Sequence, residues 1–270
     1  MDATTKKIRQ IIEQRPYLDW RTLAVISIMV AGFPVLGWLH YHEIVNPWFA
    51  VILGSLLMNL SFTAWHEPSH QNLSKSASIN TVAGWIASFA SVYPGYFARR
   101  REHLIHHKWE GQEGMDPVYP RIQTDFWNFP KNLLQVNFSE RSRINVPDSF
   151  VPFTSAQRIS VSVSNYLALG VVVLSVALNF WWTVWWVWIL PRIIIFMFHA
   201  YWVCFFPHQV ENGGYRVYRV RNGGWLLRFL TVEQNMHGVH HAWPGIPWHR
   251  YKDLFPLTPE IIAEKNIEIV

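Results

Sequence analysis

Thirteen histidines stand in a chain of 270 residues, and most of them fall into three clusters. His237, His240 and His241, in QNMHGVHHAWPGIPWHRY, sit at offsets of three and four. If that stretch is helical, all three imidazoles lie on one face, a turn apart. His103, His106 and His107, in REHLIHHKWEG, repeat the spacing, and His66 and His70, in WHEPSH, form a pair four apart. Imidazole is the commonest metal ligand and suits iron, zinc, copper and nickel, so the histidines imply a metal without naming it. One such box is a weak signal; two copies of one pattern beside a matching pair is a strong one.

The segments that must carry these boxes have a membrane composition. Hydrophobic residues make up 50% of the chain and charged residues only 15%, against about 25% charged in a soluble domain. Sixteen Trp and 17 Phe contribute to an aromatic share of 16%. The chain reads as one domain over residues 1–270. The single cysteine, Cys204, excludes an intrachain disulfide and a cysteine-based zinc or iron–sulfur site. The net charge of +5 gives no reason to invoke nucleic acid, because the membrane explains where the basic residues lie.

Thr22 to Leu39 and Pro47 to Trp65 are apolar runs long enough to cross a hydrocarbon core of ~30 Å, and the short Tyr41–Asn46 turn makes them a hairpin. Val161 to Leu178 and Trp182 to Phe206 form a second hairpin, turning at Asn179. Ile79 to Phe97 is apolar but broken by Gly84, Pro94 and Gly95, which suits a re-entrant or interfacial segment. The N-terminus, MDATTKKIRQIIEQRPYLDW, lacks a cleavage site and reads as an amphipathic lead-in on the cytoplasmic surface. Neither hairpin turn carries Lys or Arg, so the positive-inside rule puts both termini and the central loop in the cytoplasm. Arg192, within the last span, is the exception and is expected to face a partner inside the bundle. The expected fold is an all-α integral membrane protein with four transmembrane helices in two hairpins and a re-entrant or interfacial segment. A cytoplasmic helical cap holds the histidine boxes, and the cell membrane is the expected location.

With that topology, four separate segments deliver histidines to one membrane face: His66 and His70, His103, His106 and His107, His208, and finally His237, His240 and His241. The set is too large for one zinc, which takes four protein ligands, or three with water. It suits two metal ions in an imidazole cage with an open position. Oxidising an unactivated hydrocarbon beside a lipid-facing core requires dioxygen chemistry, which selects iron. Glu67, Glu102, Asp116, Glu233 and Asn235 stand near the boxes and are expected to orient ligands from behind. His66-Glu67-Pro68-Ser69-His70 also matches the HExxH of zinc proteases. Pro68 disturbs the helix that protease chemistry needs, and the reading leaves the other boxes idle. A metal transporter would place its ligands near the bilayer midplane rather than at one face.

From about Trp65 to Phe255 the chain resembles the membrane fatty-acid desaturase and hydroxylase superfamily. The match rests on HEPSH, on HLIHH followed by Asp116 and Pro117, and on HGVHH followed by AWPGIPWHRY. FPHQ at Phe206 to Gln209 and HHAWPGIPW are similar to the carotenoid hydroxylase and ketolase branch. Two departures are Glu67 where that branch usually has aspartate, and Gln209 where arginine is usual. The resemblance implies a di-iron oxidoreductase that uses O2 and a lipid substrate, with a carotenoid ring such as that of β-carotene hydroxylated. Acyl-chain desaturation, fatty-acid or alkane hydroxylation and carotenoid ketolation stay open. A basic cytoplasmic face could dock an acidic ferredoxin as electron donor.

Overall fold

Among the described residues, four helices are long and apolar enough to cross a membrane: Trp20–Tyr41, Pro47–Ser69, Ser155–Ala177 and Trp181–Phe205. They coincide with the four expected spans: the first two are extended by four residues each, the third starts six residues earlier and ends one earlier, and the last is shifted by one. The computed structural model describes residues 3–93, 95–122, 124–137, 152–211 and 215–270. The expected break at Pro94 lies outside them. The chain divides into two compact units, one of residues 16–100 and 153–198, the other of residues 1–15, 101–152 and 199–270.

In the first unit, Asp19 caps helix α2 (Trp20–Tyr41; α1 belongs to the other unit) by accepting from the Thr22 amide at 2.8 Å. Asn46 caps α3 (Pro47–Asn59), whose first residue is a proline already set to a helical φ. Helix α4 (Ser61–Ser69) continues that span, and every one of its residues is buried. Gly54 of α3 is the point of closest approach to the last span, because a Cβ there would lie 2.6 Å from the Val187 carbonyl oxygen. Small residues at such crossings let membrane helices meet backbone to backbone. Helix α5 (Ala77–Ala90) covers 14 residues, about 21 Å, which is too short to span. Helix α9 (Ser155–Ala177; α6 to α8 lie between) opens with a capping box between Thr154 and Gln157. It exposes Leu167, Val173 and Val176, an apolar surface that water would penalise and lipid does not.

The last span is irregular. A short α10 (Trp181–Val184) runs into a π-helical turn at Trp185–Ile189, then α11 (Leu190–His199) and a second π-turn at Ala200–Phe205. Arg192 packs its guanidinium over the rings of Tyr93 at 5.0 Å and Phe196 at 5.6 Å, so its partners are aromatic faces rather than a carboxylate. His40, at the far end of α2, reaches the Thr183 hydroxyl at 3.0 Å and ties the two hairpins together there.

The second unit is helical with a small sheet that the sequence reading did not anticipate. Helix α1 (Ala3–Glu13) does more than lie on a surface. Its Ile8 and Ile11 are buried in a core with Val220, Met236, Val239 and Tyr251. Strands β1 (His208–Glu211), β2 (Tyr215–Val220) and β3 (Ile267–Ile269) follow the order β1-β2-β3, antiparallel then parallel. Helix α6 (Tyr96–Trp109) carries the second box, and α13 (His237–Ala242) carries the third. Between α12 (Trp225–Thr231) and α13, Val232 and Glu233 both take left-handed φ angles of 51° and 63°. Such backbone is costly for non-glycine residues, and for a β-branched valine above all. The Arg228 guanidinium donates to both Glu233 oxygens, at 2.8 and 2.7 Å, and fixes this sharp turn into the last box.

Candidate metal centre

Two groups of imidazoles form within the second unit. His106 and His208 belong to the first. His106 turns Nδ1 to Asp116 Oδ1 at 2.8 Å, and His208 turns Nδ1 to Glu110 Oε1 at 2.7 Å. Burial works to raise the Glu110 carboxyl pKa, but His241 and His208 outweigh it and hold the group well below its ordinary value. Burial likewise opposes Asp116, and its interaction with His106 and the amides of Val118 and Gly111 bring it down. Both carboxylates are therefore ionised acceptors. Asp116 takes the Nδ1 side of His106 and Glu110 stands against the Nδ1 side of His208, so each imidazole turns its Nε2 forward. Those two Nε2 atoms stand 3.2 Å apart.

Two facing imidazole nitrogens at that separation can share a cation, either a proton or a metal ion. His241 adds a third nitrogen donor beside them. Its two ring nitrogens are buried without a hydrogen bond, although Nδ1 approaches Glu110 Oε1 to 3.3 Å. Burial pushes the His241 imidazole down to about 4, so at neutral pH it is the uncharged form that ligates metals. His106, Glu110, His208 and His241 offer donor atoms within 4.8 Å of one another, and all are buried. With metal–nitrogen bonds of about 2.1 Å, two imidazoles at right angles on one ion sit about 3 Å apart. The observed spacing fits that geometry.

The second group is His103, His107 and His240, whose ring nitrogens also lie within 4.8 Å of one another. Nε2 of His107 is 3.2 Å from Nε2 of His103 and 2.9 Å from Nε2 of His240. The two groups stand back to back, with the His107 and His241 rings stacked at 4.4 Å. The sorting corrects the expectation of one shared face for each box, because adjacent residues on a helix point about 100° apart. On α6, His103 and His107 share a face and serve one group, while His106 points to the other. On α13, consecutive His240 and His241 diverge in the same way. His237 lies outside both close groups, its Nδ1 held by Gln234 Oε1 at 2.9 Å and its ring 4.8 Å from that of His241.

In the membrane-spanning unit, His66 and His70 face each other at 4.9 Å between ring centroids. His70 caps the end of α4, whose last turn contains Pro68. Glu67 Oε1 holds the Nδ1 of His66 at 3.0 Å, and its Oε2 accepts from Asn72 at 3.2 Å.

The remaining expected partners are placed variously. Asp116 stands behind His106, as described. Glu102 is exposed on α6. Glu233 is engaged by Arg228, and Asn235 braces the backbone by accepting from Thr231 at 2.7 Å and donating to the Arg221 carbonyl at 2.6 Å. Glu110 and Gln234 were missed. Glu110 follows His106 by four residues, the offset that already linked the boxes, so the same rule locates it.

A sequence model described as fatty acid desaturase matches residues 42–270. The chain is 22% identical to an sn-1 oleoyl-lipid 12-desaturase of Arthrospira platensis, over 94% of this chain and 79% of that protein. It is 26% identical to a sphingolipid delta(4)-desaturase DES1-like protein of Arabidopsis thaliana, over 96% of this chain and 75% of that one. Identity to an sn-1 acyl-lipid omega-3 desaturase (ferredoxin) of Nostoc sp. (strain 36) is 24%, over 87% of this chain and 59% of that protein.

Proposed function

The chain belongs to the fatty acid desaturase family, and from that premise we propose that it uses two iron ions and O2 to oxidise an unactivated carbon of a membrane lipid. It is an oxidoreductase. The ligands we assign are His66, His70, His103, His106, His107, His208, His237, His240 and His241. The observation that carries the reading is the pair of back-to-back imidazole groups, one of them backed by ionised Glu110 and Asp116. Bound there, iron supplies the activation of dioxygen that abstraction of a hydrogen from such a carbon requires. The chain's own groups hold the imidazoles in one tautomer: Asp116 and Glu110 fix the Nδ1 protons of His106 and His208, and Glu67 fixes that of His66.

We assign acyl-chain desaturation as the reaction, supported by the three relatives, each of which is named as a lipid desaturase. The membrane-spanning unit also holds a cavity of about 600 Å³ among Phe33, Trp38, Phe89, Val171 and Trp188, an apolar environment suited to hydrocarbon. Desaturation removes one hydrogen from each of two adjacent carbons, and O2 leaves as two waters once a donor has added two electrons and solvent two protons. A ferredoxin fits as that donor, as in the name of the Nostoc relative. The charge-free hairpin turns support a cytoplasmic side for the termini and the boxes. Hydroxylation of a carotenoid ring is the second reading, favoured by FPHQ before β2 and by HHAWPGIPW.

Expression in a bacterium that makes β-carotene, followed by chromatography of both lipid classes, separates the two. New double bonds in acyl chains with unchanged carotene are the expected result. Hydroxylated carotene rings with unchanged acyl chains would move the assignment to the second reading, and no change in either class would contradict both.

A further inference from the structure

Tyr218 is the aromatic residue that completes the carboxylate side of this centre. In the antiparallel β1–β2 pair its Cα stands opposite that of His208, and residues paired in this way project from the same face of a sheet. Both side chains reach Glu110. His208 Nδ1 meets Oε1 at 2.7 Å, and the Tyr218 hydroxyl donates to Oε2 at 3.0 Å. The Tyr218 ring also stacks on His241, with centroids 5.6 Å apart and planes 22° from parallel. Glu110 is thus divided: one oxygen faces the imidazoles of His208 and His241, and the other accepts from the phenol.

We propose that Tyr218 is a positioning residue for the metal held by His106, His208 and His241. Its hydroxyl fixes the Glu110 carboxylate and sets how much negative charge reaches the two imidazoles. The proposal rests on the reading that these histidines bind iron. The terminal torsion of a glutamate is broad, so a carboxylate anchored by one oxygen rotates freely. A hydroxyl donating to an ionised acceptor is a strong second anchor. Carboxylates behind ligating imidazoles raise ligand basicity, and so what anchors Glu110 acts on the metal through it. The sheet holds Tyr218 in turn: its amide donates to the Asn266 carbonyl at 3.0 Å, and Ile267 of β3 is its parallel partner. The small sheet therefore brings His208 and Tyr218 jointly to Glu110 at the end of α6.

Tyr218→Phe removes the hydroxyl and keeps the ring against His241. The test compares full-length wild type, Tyr218→Phe, Glu110→Gln and the double variant. The readouts are iron affinity by chelator competition and the Mössbauer spectrum of the iron-loaded protein. Outer partners of metal ligands are worth about 10- to 100-fold in affinity. Tyr218→Phe is expected to weaken one iron about tenfold and Glu110→Gln about 100-fold, with the double variant no weaker than Glu110→Gln alone. One of the two iron signals should shift in Tyr218→Phe while the other stays. If Tyr218→Phe fails to accumulate, 3,5-difluorotyrosine at position 218, which keeps the shape and alters donor strength, should shift the same signal. Equal weakening by Tyr218→Phe with and without Glu110 would overturn the proposal, because the hydroxyl would then act by another route. Two irons in wild type with unchanged affinity and spectra in Tyr218→Phe would overturn it and leave the function standing. A wild type that binds no iron would overturn both.

Discussion

Protein carrying His106→Ala is expected to insert and fold, to hold one iron fewer than wild type, and to lose activity by more than about 100-fold. His106 is the residue on which the first imidazole group converges. Its Nε2 stands 3.2 Å from Nε2 of His208, its ring lies 5.0 Å from that of His241, and its Nδ1 is fixed by Asp116. Alanine removes the ligand but leaves Asp116 its amide partners at Gly111 and Val118, both at 2.8 Å, so the loop after α6 keeps its form. Circular dichroism checks the fold, metal analysis counts the iron, and product chromatography reads the activity. A variant with full iron and full activity would remove His106 from the ligand set.

A comparable loss is expected from a single methyl group at Gly238, which no ligand or charge identifies. Gly238 follows His237 and precedes His240 and His241 on α13. A Cβ there would lie 2.7 Å from the Arg219 carbonyl oxygen and 3.0 Å from the carbonyl carbon of Tyr218. Both contacts are backbone atoms of β2, which cannot rotate away as a side-chain tip would. Overpacking of this kind costs about 1–3 kcal/mol, more than the roughly 1 kcal/mol by which alanine favours a helix over glycine. Stability should therefore fall. Activity should fall further, because relief of the clash moves His237, His240 and His241 together, and a displacement of about 1 Å can cost about 100-fold in rate. Gly170→Ala in α9, where a Cβ would meet nothing within 4 Å, is the control and should match wild type or melt slightly higher. Wild-type melting and turnover in Gly238→Ala would show that α13 does not depend on this contact.

The parts of this molecule with a strong period or a strong composition were legible in the sequence. The apolar runs and their charge-free turns located the four candidate spans, and the turn at Asn179 is left-handed with φ of 56°, as a tight hairpin turn requires. Offsets of three and four put the second and third boxes on helices, but the one shared face they suggested does not hold: His106 and His107, like His240 and His241, turn to different groups, and His237 lies outside both. The acids were harder. Glu102 drew attention because it adjoins His103 in sequence, but neighbours in sequence point about 100° apart on a helix, and Glu102 is exposed. Glu110, four residues past His106, is the one that turns toward the centre. The sheet was not legible, because its strands have four, six and three residues and the partner of Tyr218 arrives from the far end of the chain. Pairing between segments so distant leaves no local period. The π-turns in the last span are hidden for a related reason, since one extra residue per turn in a uniformly apolar run changes no pattern.

The most direct measurement is the identity and number of metal ions in the purified full-length protein, taken together with turnover after chelation and reconstitution. Two irons per chain, activity lost with the metal and restored by ferrous iron but not by zinc, is the predicted result. A single zinc per chain, or full activity in metal-free protein, would contradict a two-iron lipid oxidase.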